Sequence, residues 1–138
     1  MIFSKNTILK KIEQKLITIT NFDSSALEDA SYDFKLGSYF DEIKQAWIPV
    51  SSFGIQIESK GFLLSKTNEK ITLSPHIACM IFTTSSLAKK GIDAIQSSSF
   101  CHPKTDNEMT VEIFNHSNQP VVLKLGQTMV KGVFMEVI

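Results

Sequence analysis

The sequence contains no arginine, and all 14 of its basic residues are lysine. They are matched by 14 acidic residues, so the formal net charge at pH 7 is zero. A neutral chain lacks the positive surface that attracts nucleic acids or anionic membranes, and we expect neither as a partner. Without arginine, no guanidinium group can hold a phosphate through two parallel hydrogen bonds.

Cysteine and long apolar runs are also scarce. Cys79 and Cys101 are the only cysteines and lie far apart in sequence, which allows a disulfide but does not imply one. We find no signal peptide, no apolar run that could span a bilayer and no ligand pair at zinc spacing, so we expect a cytoplasmic protein without its own metal. At 138 residues, the chain is predicted to form a single domain over residues 1–138.

The hydrophobic pattern predicts one N-terminal helix followed by many short strands. Ser4 can cap a helix from Lys5 to about Leu16, whose apolar stripe includes Ile8 and Ile12. Turn residues then separate apolar segments at regular intervals, which is typical of an all-β barrel or sandwich. The predicted strands cover residues 17–20, 31–40, 47–50, 54–57, 61–67, 70–73, 77–82, 109–115, 121–125 and 129–137, with a turn at Asn68.

The stretch 82–115 carries the most chemistry. Its hydroxyl-rich start predicts a short internal helix that Thr84 or Ser85 caps and Gly91 ends. An extended run over 92–102 follows and contains the serine triplet 97–99. In the next predicted strand, Met109, Val111 and Ile113 share one face, while Thr110, Glu112 and Phe114 share the other.

Several segments resemble the dCTP deaminase/dUTPase family in order and spacing. Residues 85–88 and 91–92 match its Ser-Ser-Leu-Ala helix and Gly-Ile pair, and residues 112–115 match its Glu-x-aromatic-Asn strand. Residues 30–37, Ala-Ser-Tyr-Asp-Phe-Lys-Leu-Gly, are similar to its Ala-Ser-Tyr-Asp segment. The resemblance implies a dUTPase-like distorted jelly-roll β-barrel with two short helices, assembled as a homotrimer that binds a deoxynucleotide between subunits.

The sequence departs from the family pattern at five positions. Thr84, Lys89 and Phe100 stand where the family has arginine, His102 where it has aspartate, and Lys104 where it has glycine. The sequence stops at Ile138, after the last predicted strand, so we expect it to lack the C-terminal segment that closes over the nucleotide in family enzymes. Loss of the aspartate argues against dUTP diphosphatase activity more than against deamination.

Glu112 and Ser85 are the candidate catalytic residues. Deamination of cytosine needs one group to take a proton from the attacking water and to protonate the leaving ammonia, and a single carboxylate can do both. The resemblance implies that Glu112 has this role without a metal, and that Ser85 positions the water. It also implies nucleotide contacts from the other candidate site residues, which are Thr84, Ser86, Lys89, Ser98 and His102. Mg²⁺ would serve only the phosphates.

Each of these residues also has an ordinary structural interpretation. A strand glutamate is usually solvated, serines at a helix start are usually caps, and a loop histidine is usually exposed. Asp33 is expected to cap a backbone turn. Together with the family resemblance, the sequence nevertheless predicts a deoxycytidine nucleotide deaminase. The alternative is a non-catalytic trimer that senses nucleotides or binds a partner.

Overall fold

A computed structural model describes residues 1–96 and 98–138. Ser97, part of the predicted serine triplet, lies outside the described residues. The N-terminal helix α1 spans Lys5–Glu13, and the Ser4 hydroxyl caps it by accepting a hydrogen bond from the Thr7 amide. The helix ends before Leu16, where we predicted its end, because Lys15 adopts a left-handed backbone conformation with φ 61°.

The rest of the chain is mostly strand, which confirms the predicted all-β fold class. A single 3₁₀ turn covers Ser24–Ala26, and the second helix α2 spans Ser85–Ala88. The strands are β1 Ile17–Ile19, β2 Tyr32–Asp41, β3 Ala46–Pro49, β4 Ile55–Ile57, β5 Phe62–Leu73, β6 Ile77–Thr83, β7 Ile92–Asp93, β8 Phe100–Cys101, β9 Asp106–Asn115, β10 Val121–Leu123 and β11 Thr128–Glu136.

Nine strands form one antiparallel sheet in the order β7-β9-β5-β2-β11-β6-β8, with β1 also pairing with β5 and β3 with β2. Strands β10 and β4 form a separate two-stranded ladder. The sheet curls around a core of apolar side chains, among which Tyr32, Phe34 and Phe134 are fully buried. The predicted β-barrel architecture is confirmed in this curled form.

The prediction of a turn at Asn68 was wrong, because β5 passes through this position as one bulged strand. The Thr67 hydroxyl accepts the Met109 amide hydrogen at 3.0 Å and donates to the Glu69 carbonyl at 2.7 Å, which bridges the break in the ladder. On the facing strand, Gly37 allows the close approach, since a Cβ there would lie 2.6 Å from the Asn68 Cα.

The segment 92–102 is not the extended run that we predicted. Among its described residues, 92–96 and 98–102, only β7 and β8 at its two ends are strands. Between them, an Asp93 carboxylate oxygen accepts hydrogen bonds from the amides of Ile95 and Gln96, each at 3.0 Å, and turns the chain. This turn allows β7 to pair with β9 while β8 pairs with β6 at the opposite end of the sheet order.

Strand β9 has the two faces that the sequence predicts. Met109, Val111 and Ile113 are buried in the core, and Glu112 lies on the opposite face, half-buried. Asn115, at the end of the strand, is fully buried and its amide donates to the carbonyls of three residues: Ile57, Glu58 and Gln119. Asn115 therefore has a structural role, and Glu112 is the residue of this motif whose side chain is available for binding or catalysis.

Candidate functional site

Glu112 lines a cavity of about 240 Å³ beside β8 and β9. Its position on β9, opposite Leu64 of β5, holds the carboxylate against the sheet. The Oε2 atom is buried and has no hydrogen-bond partner among the described residues. Buried carboxylate oxygens normally have partners, so an orphan acceptor in a cavity indicates a place for a ligand or water. The cavity is also lined by Ile81, Ser98, Phe100, Cys101, His102, Thr105, Asn107, Glu108, Met109 and Thr110.

Two predicted nucleotide contacts, Ser98 and His102, lie in this same cavity. The rings of His102 and Phe100 pack edge to face with centroids 4.8 Å apart, and the Thr105 hydroxyl donates to the His102 carbonyl at 2.7 Å. The segment that carries the imidazole is therefore held from both sides. The cavity combines two carboxylates, an imidazole and several hydroxyls, which can accept a proton from water and bind polar edges of a base.

The start of α2 lines a second cavity, of about 620 Å³. Thr84, Ser85 and Ser86 all contribute to it, as the sequence predicts for residues of one site. Thr84 occupies the N-cap position, but its side chain makes no capping hydrogen bond, and its buried Oγ1 has no partner among the described residues. Its amide donates instead to the Met129 carbonyl at 3.2 Å, which ties α2 to β11.

The α2 cavity is rich in negative charge. Glu28, Asp29 and Asp33 line it, against one cation, Lys131, which pairs in register with Asp33 across β2 and β11. Burial, followed by the negative charge of Glu28, raises the pKa of Asp33, while Lys131 acts in the opposite direction. Asp33 thus faces this cavity. The excess of carboxylates disfavours a bare phosphate chain and favours an anion that arrives with a cation.

The two cavities share no lining residue among the residues that the structure describes, 1–96 and 98–138. The single chain brings Glu112 together with Ser98 and His102, but not with Ser85. Lys89 is exposed and lines neither cavity. The single chain therefore presents two separate parts of the predicted site.

Sequence reasoning missed several cavity residues. Thr128 and Lys131 lie on β11 and reach the α2 cavity only because β11 pairs with β2, a pairing between strands far apart in sequence. Thr105 and Cys101 line the Glu112 cavity, and their closeness in sequence to His102 was the available signal. Glu28 and Asp29 form an acidic pair beside the matched Ala-Ser-Tyr-Asp segment, which was a second signal.

No group of three or more His, Cys, Asp or Glu side chains in the described part of the chain is arranged to hold a metal ion. No described helix is long and apolar enough to cross a membrane.

The curled antiparallel sheet and the Glu112 cavity define a β-barrel protein of the dUTPase-like class, and comparison with known sequences gives the family. A family model described as dCTP deaminase-like matches residues 2–137. The chain belongs to this family. It is 31% identical over 122 residues to a dCTP deaminase of Thermococcus kodakarensis, covering 88% of this chain and 77% of that protein. It is 26% identical over 148 residues to a dUMP-forming dCTP deaminase of Corynebacterium glutamicum, covering 92% of this chain and 78% of that protein.

Solved structures agree on the fold. The 2'-deoxycytidine 5'-triphosphate deaminase of Agrobacterium tumefaciens superposes with a TM-score of 0.79 at 16% identity and covers 99% of this chain. This chain spans 48%, about half, of the length of that protein. The dUTPase of Streptococcus mutans superposes with a TM-score of 0.58 at 22% identity, covering 88% of this chain and 95% of that one.

Proposed function

We propose that this protein deaminates a deoxycytidine nucleotide hydrolytically to the deoxyuridine nucleotide. The observation that carries the proposal is the Glu112 carboxylate, which has one buried oxygen without a partner among the described residues and lines a cavity with Ser98 and His102. The family to which the chain belongs, and the deaminases to which it is similar, support the same reaction.

In this proposal, Glu112 moves the protons. It takes one from a water molecule as the oxygen attacks C4 of the base and delivers it to N3, and it then moves the proton of the new C4 hydroxyl to the amino group as the C4–N bond breaks. A C4 carbonyl forms, N3 keeps its hydrogen and ammonia leaves. A positioned carboxylate that serves in this way typically contributes about 10²–10⁴-fold to the rate. Ser85 would hold the attacking water through its hydroxyl.

Because Ser85 and Glu112 line different cavities of one chain, the reaction needs two subunits. We propose a homotrimer in which the α2 cavity of one subunit meets the Glu112 cavity of its neighbour. Two aromatic side chains support such an interface: Phe82 is 42% exposed and Phe100 is 45% exposed, although both are large and apolar. Phe100 also lines the Glu112 cavity, so a subunit packed on it would close that side.

The phosphates present a separate problem, because the chain has no arginine and the α2 cavity is acidic. We propose that Lys131 and, across the interface, Lys89 contact them, with Thr84 and Ser86 donating hydrogen bonds from their hydroxyls. Mg²⁺ would arrive on a triphosphate and offset part of its charge beside Glu28, Asp29 and Asp33. The cytoplasmic location remains a prediction, as does the absence of nucleic-acid and membrane partners.

A non-catalytic, nucleotide-sensing or partner-binding trimer is the second candidate. The acidic α2 cavity favours it, as does the replacement of arginine by Thr84, whose buried hydroxyl has no partner among the described residues. Such a protein would bind a nucleotide without turnover. A bound nucleotide at one hundred times its dissociation constant would add about 2.7 kcal/mol to the free energy of unfolding.

Ammonia release from dCMP, dCDP and dCTP, each with and without Mg²⁺, tests the reaction. We expect turnover by the wild type, and a loss of about 10²-fold or more in Glu112→Gln with unchanged thermal unfolding. Glu108→Gln is the matched control, because it removes the same charge from an exposed residue of the same strand and cavity. Binding without turnover of any cytosine nucleotide would leave the second candidate, and equal rates in Glu112→Gln and wild type would refute the role of Glu112.

A further inference from the structure

The two cysteines, distant in sequence, face each other across neighbouring strands. Cys79 of β6 and Cys101 of β8 are directly opposite in the antiparallel register. The Ile81 amide donates to the Ser99 carbonyl at 2.8 Å, so by alternation Cys79 and Cys101 are again a hydrogen-bonded pair. Such pairs have Cα atoms about 5.5 Å apart, within the span of roughly 4.4–6.8 Å that a disulfide bridges.

The two side chains also point to the same side of the sheet, as directly opposite residues do. Their Cβ atoms are expected about 4.5–5.5 Å apart, and a disulfide needs roughly 3.5–4.5 Å. The strands must therefore approach by about 1 Å at this position. Strand β8 is only two residues long and lies at the edge of the sheet, so it can move by this amount more readily than an internal strand.

The environments of the two sulfurs differ. Cys79 is fully buried, and its Sγ fills space that Gly132 leaves open, since a Cβ there would lie 2.9 Å from that sulfur. Cys101 is half-buried and lines the Glu112 cavity, with its Sγ 3.4 Å from the Met109 Sδ. A small oxidant in the cavity can therefore reach Cys101, whereas the fully buried Cys79 is out of its reach.

The closeness of the two thiols divides their acidity in the same sense. Interaction with the Cys79 side chain lowers the pKa of Cys101. Interaction with the Cys101 side chain, followed by burial, raises the pKa of Cys79 well above its usual value. The thiolate is the reactive form, so the accessible cysteine is also the more readily ionised one.

We propose that Cys79 and Cys101 are a reversible redox pair that a hydroperoxide oxidises to a disulfide beside the Glu112 cavity. The Cys101 thiolate attacks the hydroperoxide, the O–O bond breaks, and an alcohol (or water) leaves as Cys101 becomes a sulfenic acid. The Cys79 sulfur then attacks the Cys101 sulfur, the S–O bond breaks and water leaves. Two thiols and one hydroperoxide thus give one disulfide, one alcohol and one water, and a dithiol reverses the change.

The disulfide would also act on the cavity. His102 follows Cys101 directly, so drawing β8 toward β6 moves the imidazole relative to Glu112. This consequence rests on the proposed deaminase function, whereas formation of the disulfide does not. Intracellular disulfides in organisms of moderate growth temperature are usually transient, catalytic or redox-sensing, which fits a switch of this kind.

Intact-mass and peptide mass spectrometry of the full chain after treatment with one equivalent of hydrogen peroxide test the pair. We expect loss of two hydrogen atoms, a crosslink between the peptides that contain Cys79 and Cys101, and full reversal by dithiothreitol. Cys79→Ser should stop at a sulfenic acid on Cys101 that a dimedone probe captures. Cys101→Ser should form no sulfenic acid with peroxide and should therefore not react with the dimedone probe. An unlinked product in the wild type, or equal reaction of the two variants, would overturn the proposal.

Ammonia release then separates this proposal from the proposed function. We expect the oxidised wild type to be slower by about tenfold or more, because small displacements in a catalytic site carry large penalties. Cys79→Ala, which cannot form the link, should keep its rate under the same mild oxidation. A crosslink without turnover in the reduced protein would refute the deaminase but not the redox pair, and turnover unaffected by a complete crosslink would refute the coupling.

Discussion

Glu112 and Glu69 are two carboxylates of the same sheet, and each has one buried oxygen without a hydrogen-bond partner among the described residues. Glu69 lies in the bulge of β5, is fully buried, and accepts the Lys35 amide hydrogen at its Oε1 at 3.0 Å. Glu112 is half-buried and borders a cavity. Both orphan oxygens are buried, but Glu69 lines none of the cavities described above, whereas Glu112 borders one.

The comparison teaches that an unpaired buried acceptor indicates a binding site only where there is room beside it. An enclosed carboxylate can relieve the penalty of burial by taking up a proton, and burial is the main cause that raises the pKa of Glu69. The effect of Glu69 therefore falls on stability, whereas the effect of Glu112 falls on binding and catalysis. Substitutions in the two regions should therefore differ in whether they change activity or stability.

The largest effect is expected for the Ser85 hydroxyl, which the Glu112 cavity lacks within one chain. We expect Glu112→Gln and Ser85→Ala each to be nearly inactive alone. Co-expressed in equal amounts, they should recover about a quarter of the wild-type rate, because that fraction of interfaces pairs an intact glutamate with an intact serine in a closed ring. The measurement is ammonia release by the purified mixed oligomer.

A matched mixture controls for this rescue. Glu112→Gln co-expressed with a chain that carries both substitutions offers no interface with two intact residues and should stay inactive. If the first mixture is equally inactive although both chains are present in one oligomer, then Ser85 and Glu112 do not meet across an interface.

Charge in the α2 cavity should have a moderate effect on nucleotide binding. Asp33→Asn removes a negative charge and should tighten binding of a nucleotide severalfold, while Lys131→Gln should weaken it by a similar factor, since a single partly screened charge contributes on the order of 1 kcal/mol. Isothermal titration at two salt concentrations measures both changes, and each should shrink at high salt. Shifts of the same sign in the two variants would show that the phosphates bind elsewhere.

Glu69→Gln should change how stability depends on pH. The folded state holds a proton on Glu69 more tightly than the unfolded state, whose pKa is near 4.5. The wild type therefore loses stability as pH rises from about 4.5 through the raised pKa of Glu69. The loss is about 1.4 kcal/mol for each tenfold difference in proton affinity between the folded and unfolded states. Glutamine cannot titrate, so the variant should lack this loss.

Urea unfolding between about pH 4 and pH 8 measures this difference, because this range covers most raised pKa values of glutamate. Glu13→Gln, at an exposed position of α1, is the control and should follow the wild type. Parallel curves for Glu69→Gln and the wild type would contradict the assigned role of the enclosed carboxylate.

The smallest effect is expected at Asp23, close to the Glu69 region. Its hydrogen bond from Lys35, at 2.6 Å, is the main cause that lowers the pKa of Asp23 to about 2. The stabilisation is present above the unfolded value near 3.8 and is lost as pH falls from there toward 2. Because both side chains stay partly accessible to solvent, Asp23→Asn should reduce stability only slightly at neutral pH, and the difference from wild type should vanish in acid. A difference that persists at pH 2 would mean that Asp23 acts through packing.

Much of this protein is determined locally and can be predicted from sequence. Hydroxyl caps such as Ser4, the alternation of β9 and the positive φ of Gly91, 82°, follow from interactions between residues a few positions apart. The order and spacing of the family motifs also placed Glu112 and Ser85 in the right elements. The turn predicted at Asn68 failed because a hydroxyl from Thr67 and a gap at Gly37 keep β5 continuous, and both act across strands.

The sequence by itself determined the all-β class, the single N-terminal helix and the chemistry of its candidate residues, since periodicity and side-chain type are local properties. Only the tertiary structure decided that Glu112 shares a cavity with His102 but not with Ser85, and that Cys79 faces Cys101. Strand order and register bring these residues together or keep them apart, and both depend on how the whole sheet buries its apolar faces.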